Sequence, residues 1–94
     1  MSSSSRIRRR VLYRGSVQGV GFRLTTLRIA RRHPVTGYVK NLPGGAVQLT
    51  IDGPAAAVNS VLAEIAAAMS DNIRETDVED LTDAEQFDVF EIRH

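Results

Sequence analysis

The stretch Gly15-Ser-Val-Gln-Gly-Val-Gly-Phe-Arg23 constrains this chain more than any other. It separates two runs with different periods. Before it, Ile7, Val11 and Tyr13 share one face at period two, and Arg8, Arg10 and Arg14 share the other. Arg9 falls on the apolar face and interrupts that alternation. After it, Phe22, Thr26, Ile29 and Ala30 follow helical spacing. The chain therefore passes from a strand over residues 6–14 to a helix over residues 22–32 through a loop that holds Gly15, Gly19 and Gly21. Such a junction presents free backbone N–H groups at the first helical turn, and the helix dipole adds positive potential there. Gly19 and Gly21 can take positive φ and let the backbone wrap an anion. Arg23 sits in the first turn, and a side chain there leans back toward the helix start. Its guanidinium suits oxygen anions because it donates in pairs. From these residues two readings stand: an anion cradle, or a tight turn with an arginine in water.

Two familiar phosphate motifs do not apply. Leu24 stands where a dinucleotide fingerprint needs its third glycine, and no Gly-Lys-Ser/Thr is present.

Downstream, Pro34 ends the helix, because the residue before a proline avoids the α region. Residues 36–40 read as a strand, Leu42-Pro-Gly-Gly45 as a turn, and residues 46–52 as a strand with Val47, Leu49 and Ile51 on one face. Asp52-Gly-Pro54 opens a second helix, with Asp52 or Gly53 as its expected cap and Val58, Val61, Leu62, Ile65 and Met69 as its apolar stripe. Residues 73–81 read as a poorly alternating strand, 82–86 as a loop and 87–93 as a short last strand. The order β-α-β-β-α-β plus a terminal strand predicts an α+β, ferredoxin-like sandwich. Two helices would lie on one face of an antiparallel sheet.

A length of 94 residues points to one domain, expected over residues 6–94, with residues 1–5 as a disordered tail. The absence of cysteine excludes disulfides and thiolate chemistry. No apolar run is long enough to span a membrane, and Met1-Ser-Ser-Ser-Ser-Arg6 has no apolar core of the signal-peptide kind. A cytoplasmic protein is the expectation. The charges are asymmetric. Residues 1–47 hold ten Lys/Arg and no Asp/Glu; residues 48–94 hold two and eleven. That pattern suits either a nucleic-acid face or basic and acidic strands paired across a ladder. The second is expected, because the basic residues are spread over several elements without an aromatic-rich strand beside them.

Gly15-Ser-Val-Gln-Gly-Val-Gly-Phe-Arg23 resembles the signature loop of the acylphosphatase family, and Gly37-Tyr-Val-Lys-Asn41 resembles the family's G-x-V-x-N motif. Asp52-Gly-Pro54 and Phe90-Glu-Ile-Arg93 are also similar to the family, so the resemblance spans about residues 7 to 93. It implies hydrolysis of small acyl phosphates to a carboxylate and inorganic phosphate. The implied phosphate cradle is the backbone of Ser16, Val17, Gln18, Gly19, Val20, Gly21 and Phe22. The implied catalytic residues are Arg23, which would hold the phosphoryl oxygens, and Asn41, which would orient the attacking water. No metal and no cofactor are expected, nor a nucleic-acid or membrane partner, and the expected state is a monomer. The family usually has Arg where this chain has Ser16, which removes one positive charge beside the cradle. It also usually reads like Leu-Gly-Leu where this chain has His33-Pro34-Val35, and residues 70–86 match it poorly.

Other residues carry less. His33 and His94 are expected to face solvent without a catalytic role. Glu75, Asp77, Glu79 and Asp80 have the spacing of a solvated or ion-paired strand rather than a metal site. Two further functions compete with hydrolysis: a phosphate-binding relative without turnover, and RNA binding on the sheet through Tyr13 or Tyr38.

Overall fold

The computed structural model describes residues 5–83 and 85–94. Apart from Ser5, the tail expected over residues 1–5 lies outside the described residues. The elements run β1 (Arg6–Gly15), α1 (Phe22–Ala30), β2 (Thr36–Asn41), β3 (Val47–Pro54), α2 (Ala55–Ala68), β4 (Ile73–Asp80) and β5 (Phe90–Arg93). They form an α+β sandwich of the ferredoxin-like kind, with one sheet in the order β4-β1-β3-β2-β5. Pairing is antiparallel between β1 and β3, β1 and β4, and β2 and β3. β5 runs parallel to β2, with Phe90 beside Gly37 and Ile92 beside Val39. The sheet is therefore mixed rather than antiparallel throughout.

That geometry follows from the path between β4 and β5, which lie at opposite edges of the sheet. The connection crosses the face that carries no helix. Leu81 N–H donates to Arg8 O at 2.9 Å. The Phe87 ring then packs against Tyr38 with centroids 5.8 Å apart. β5 consequently begins at Phe90 rather than at residue 87. Tyr38 lies under Phe87 and under the Arg93 guanidinium, 4.1 Å from its ring centroid. It is not a free stacking platform for a base.

The opposite face packs on both helices. Val11, Val39, Leu49 and Ile51 are fully buried there against Phe22, Val58, Val61 and Ile65. The α1 stripe read from the sequence, Phe22, Thr26, Ile29 and Ala30, is the buried one; of the α2 stripe Val58, Val61 and Ile65 are buried, Leu62 is half-buried, and Met69 is buried at the cap just past the helix end. α1 stops at Ala30, short of the expected residue 32. Its end tightens into shorter-range bonds, Arg32 N–H to Ile29 O and His33 N–H to Ala30 O, as Pro34 approaches. Pro54 takes the cap position of α2, in place of Asp52 or Gly53. Asp52 is held instead by Arg6 and Arg8, at 2.9 and 3.0 Å.

The charge asymmetry resolves as pairing between strands. Arg10 meets Glu79 at 3.0 Å, Arg9 meets Asp80 at 3.1 Å, and Arg14 meets Asp77. Arg9, the residue out of pattern, sits toward α2 and donates to Asn59 Oδ1 at 2.7 Å. Its charged head leaves the apolar face at the helix edge.

Candidate active site

The loop of residues 16–21 leaves β1 and is pinned at both ends. Ser16 N–H donates to Asn72 O at 2.9 Å, and Asn72 Nδ2 returns a bond to Ser16 O at 3.0 Å. Farther along, Gln18 Nε2 donates to Leu42 O and to Ala46 O, both at 2.8 Å. Those two carbonyls flank the turn between β2 and β3, so Gln18 ties the loop to the strand end that carries Asn41. Val17 and Phe22 anchor it from inside, at 1% and 2% exposure. Phe22 packs on Tyr13 with ring centroids 4.9 Å apart. Burial pushes the Tyr13 phenol well above the ordinary tyrosine range, which leaves it a neutral core group.

Between these anchors the backbone turns outward. Gly19 and Gly21 both have φ of 79°, a left-handed conformation that other residues enter only with strain. Gly21 is the N-cap of α1 and offers no side chain to the first turn, which also holds no acidic residue. Among the described residues, the N–H groups of Val17 to Leu24 find no backbone acceptor; the first that does is Thr25, to Gly21 O at 3.0 Å. A row of donors at a positive helix end is an anion-binding surface.

The row opens on a cavity of about 280 Å³ lined by Val17, Gly19, Gly21, Phe22, Arg23, Leu24, Asn41, Ile92 and His94. Six of the nine predicted site residues meet here. Arg23 comes from the first turn of α1, and Asn41 from the end of β2, where it pairs with Val47. Ser16, Gln18 and Val20 stand outside the lining; Gln18 acts on the loop from behind, and Val20 is 46% exposed. Arg23 is the charged member of the lining. Its Nη1 lies 3.3 Å from His94 Nδ1.

Leu24, Ile92 and His94 were not expected at the site. Leu24 carried a signal, since it follows Arg23 in the first helical turn. Ile92 and His94 did not, because the parallel seat of the last strand beside β2 is set by a crossing no local pattern encodes. Asn72, which clasps the start of the loop, lies in the segment that matches the family least. Thr26, beside the site in sequence, is fully buried in the core.

Among the described residues no three His, Asp or Glu side chains gather as metal ligands would. Asp77, Glu79 and Asp80 are each paired to an arginine of β1.

Comparisons with known proteins show the family and the fold. The sequence model of the acylphosphatase family matches residues 9–92. An acylphosphatase of Caldivirga maquilingensis is 38% identical over an alignment of 96 positions that covers 96% of this chain and 97% of that protein. One from Salinibacter ruber is 39% identical over 80 residues, 84% of each chain. The crystal structure of the acylphosphatase from Bacillus subtilis superposes with a TM-score of 0.83 at 26% identity, over 94% of this chain and 99% of that one. Full-length HypF matches at TM-score 0.80 over 99% of this chain but 12% of its own, and at 21% identity it shows the fold alone. This chain belongs to the acylphosphatase family. Family and fold together support acylphosphatase activity, with an acyl phosphate as substrate and phosphate as a product. No helix among the described residues is long and apolar enough to cross a membrane.

Proposed function

We propose that this cavity hydrolyses the carboxyl–phosphate bond of small acyl phosphates, with Arg23 and Asn41 as its catalytic residues. One observation carries the reading: Arg23, Asn41 and the row of N–H donors without backbone acceptors open on a single cavity. The phosphoryl oxygens lie in the donors of residues 16–22 and against the Arg23 guanidinium. Charge that gathers on those oxygens is met by groups already oriented toward them. The Asn41 amide both accepts and donates, so it fixes a water by two contacts in line with the leaving group. Oxygen of that water bonds to phosphorus as the bond from phosphorus to the carboxyl oxygen breaks.

No general base is required. The leaving carboxylate is a weak base and departs without a proton. The transition state is loose, so the water loses its proton late, to a phosphoryl oxygen of the substrate. Arg23 and the backbone supply the positive potential, and the reaction is metal-independent on this reading. The protein acts as a cytoplasmic monomer, without nucleic acid or membrane as partner.

The test is benzoyl phosphate hydrolysis in the presence of EDTA by the wild type, Arg23→Ala and Asn41→Ala. The expected result is turnover in the wild type and a fall of at least about 10²-fold in each folded variant, by analogy with removal of one preorganised donor. Absence of wild-type turnover above background, with inorganic phosphate still bound, sinks the enzyme reading and leaves a phosphate-binding relative.

A further inference from the structure

The cavity contains one titratable side chain without an assigned part. Arg6, Arg8, Arg9, Arg10, Arg14, Arg32 and Arg93 each reach a carboxylate. Among the described residues Arg23 reaches none, and its side-chain contact is with His94 Nδ1 at 3.3 Å. For that nitrogen to accept, the imidazole must be neutral with its proton on Nε2. A carboxylate in the same place would also hold the guanidinium, but it would repel an incoming anion. A neutral imidazole holds Arg23 without that repulsion.

Protonation reverses the arrangement. Nδ1 becomes a donor, the contact with Arg23 breaks, and the cavity wall gains a second cation. Imidazole is the side chain that ordinarily changes charge between about pH 5 and 8. The cavity that His94 lines has few other groups. The loop and α1 present Val17, Gly19, Gly21, Arg23 and Leu24; β2 presents Asn41; β5 presents Ile92. Arg23 is the charged one among them. Of the neighbouring charges, Lys40 and Arg93 lie toward the Tyr38 ring on the other face of the sheet, and Arg93 is paired with Glu91.

We infer that His94 is a positioning residue for Arg23 and, when protonated, a second cationic contact for a tetrahedral oxyanion in this cavity. The inference rests on the phosphate-site reading above and adds a pH-dependent component to it. Low pH strengthens anion binding and releases Arg23 from its tether; higher pH restores the tether and eases product release.

Sulfate is the probe, because it stays a dianion across the range where imidazole titrates. Its affinity is measured by calorimetry at about pH 5.5 and about pH 8 for the wild type and His94→Gln. Glutamine can still accept from Arg23 but does not titrate. The wild type is expected to bind sulfate about 3- to 5-fold more tightly at the lower pH, the size of one exposed charge contact, and the variant to show a flat response. An equal pH response in both proteins, a flat wild type, or no sulfate binding at either pH overturns the inference. Benzoyl phosphate turnover measured alongside separates the two claims. The expected sulfate pattern without turnover keeps the part of His94 and removes the hydrolase reading. Turnover with equal sulfate responses does the reverse.

Discussion

Arg8 on β1 and Arg23 on α1 are both partly buried arginines of the same basic half, in opposite surroundings. Arg8 is ringed by acceptors: Asp52 at 3.0 Å, Asp83 at 2.6 Å and the Glu85 carbonyl at 2.5 Å, with the Phe87 ring centroid 4.6 Å from its guanidinium. Burial pulls its pKa down, and the hydrogen bonds and charges of the two aspartates more than offset that, so its charge is locked in place. Arg23 meets one imidazole nitrogen and a row of N–H groups that repel it as they would attract an anion. The difference teaches how a chain with nearly balanced charge keeps a strong positive site. Seven of its eleven arginines reach a carboxylate, among them three across the β1–β4 ladder and Arg8 under the crossing segment, while Arg23 faces donors of its own sign.

Arg23→Ala and Arg8→Ala should therefore fail in opposite ways, and this pair gives the largest contrast. Arg23→Ala is expected to lose at least about 10²-fold in kcat/KM. Its stability should stay within about 0.5 kcal/mol of the wild type, because its side-chain bond is a single exposed one to His94. Arg8→Ala removes a side chain that is 12% exposed and strands Asp52, 19% exposed, with one remaining partner. A stability loss of about 1–2 kcal/mol is expected, read by urea unfolding, with turnover of the folded protein retained. If Arg8→Ala abolished turnover at full stability, the division of labour between the two arginines would be wrong.

Gln18→Ala tests the boundary between those two roles. Its amide joins the loop to the turn beside Asn41 through two 2.8 Å bonds, so it serves fold and site together. Losing it leaves Leu42 O and Ala46 O with only their backbone donors, Gly45 N–H and Leu42 N–H, and lets the cradle shift relative to Asn41. About a 10-fold fall in kcat/KM is expected, since small misplacements of reacting groups are expensive. A stability loss of about 1 kcal/mol should accompany it. An unchanged kcat/KM in the variant would show that the loop keeps its shape without this tether.

The division between scaffold and site was legible in the sequence wherever it depended on local period. Val47, Leu49 and Ile51 alternate, and all three are buried on the helix-facing side. Arg23 and Asn41 came from two motifs whose separation suits a loop and a strand end that meet. What stayed hidden depends on long-range paths. The parallel seat of β5, the covering of Tyr38 by Phe87, and the arrival of Ile92 and His94 at the cavity all follow from how residues 81–83 and 85–89 cross the sheet. Arg9 looked like an error in the strand pattern because its partners, Asn59 and Asp80, lie in two later elements.

Arg32 extends the comparison to the weak end. At 60% exposure it pairs with Glu64 at 2.6 Å, and His33 Nε2 lies 2.6 Å from the other oxygen of the same carboxylate. The hydrogen bonds from Arg32 and His33 hold the Glu64 carboxyl below the usual carboxylate range. A carboxylate whose pKa is depressed by folding stabilises the native state above its unfolded value, about 4.3, and that contribution fades as pH falls through the lower folded value. Glu64→Gln should therefore show a small Tm deficit at neutral pH that closes in acid, below about pH 4. The deficit should be smaller than that of Arg8→Ala, because water screens an exposed clasp between α1 and α2 more than a pair under the Phe87 ring. A Glu64→Gln deficit as large as that of Arg8→Ala, or one that persists unchanged in acid, would mean that burial does not rank these arginines.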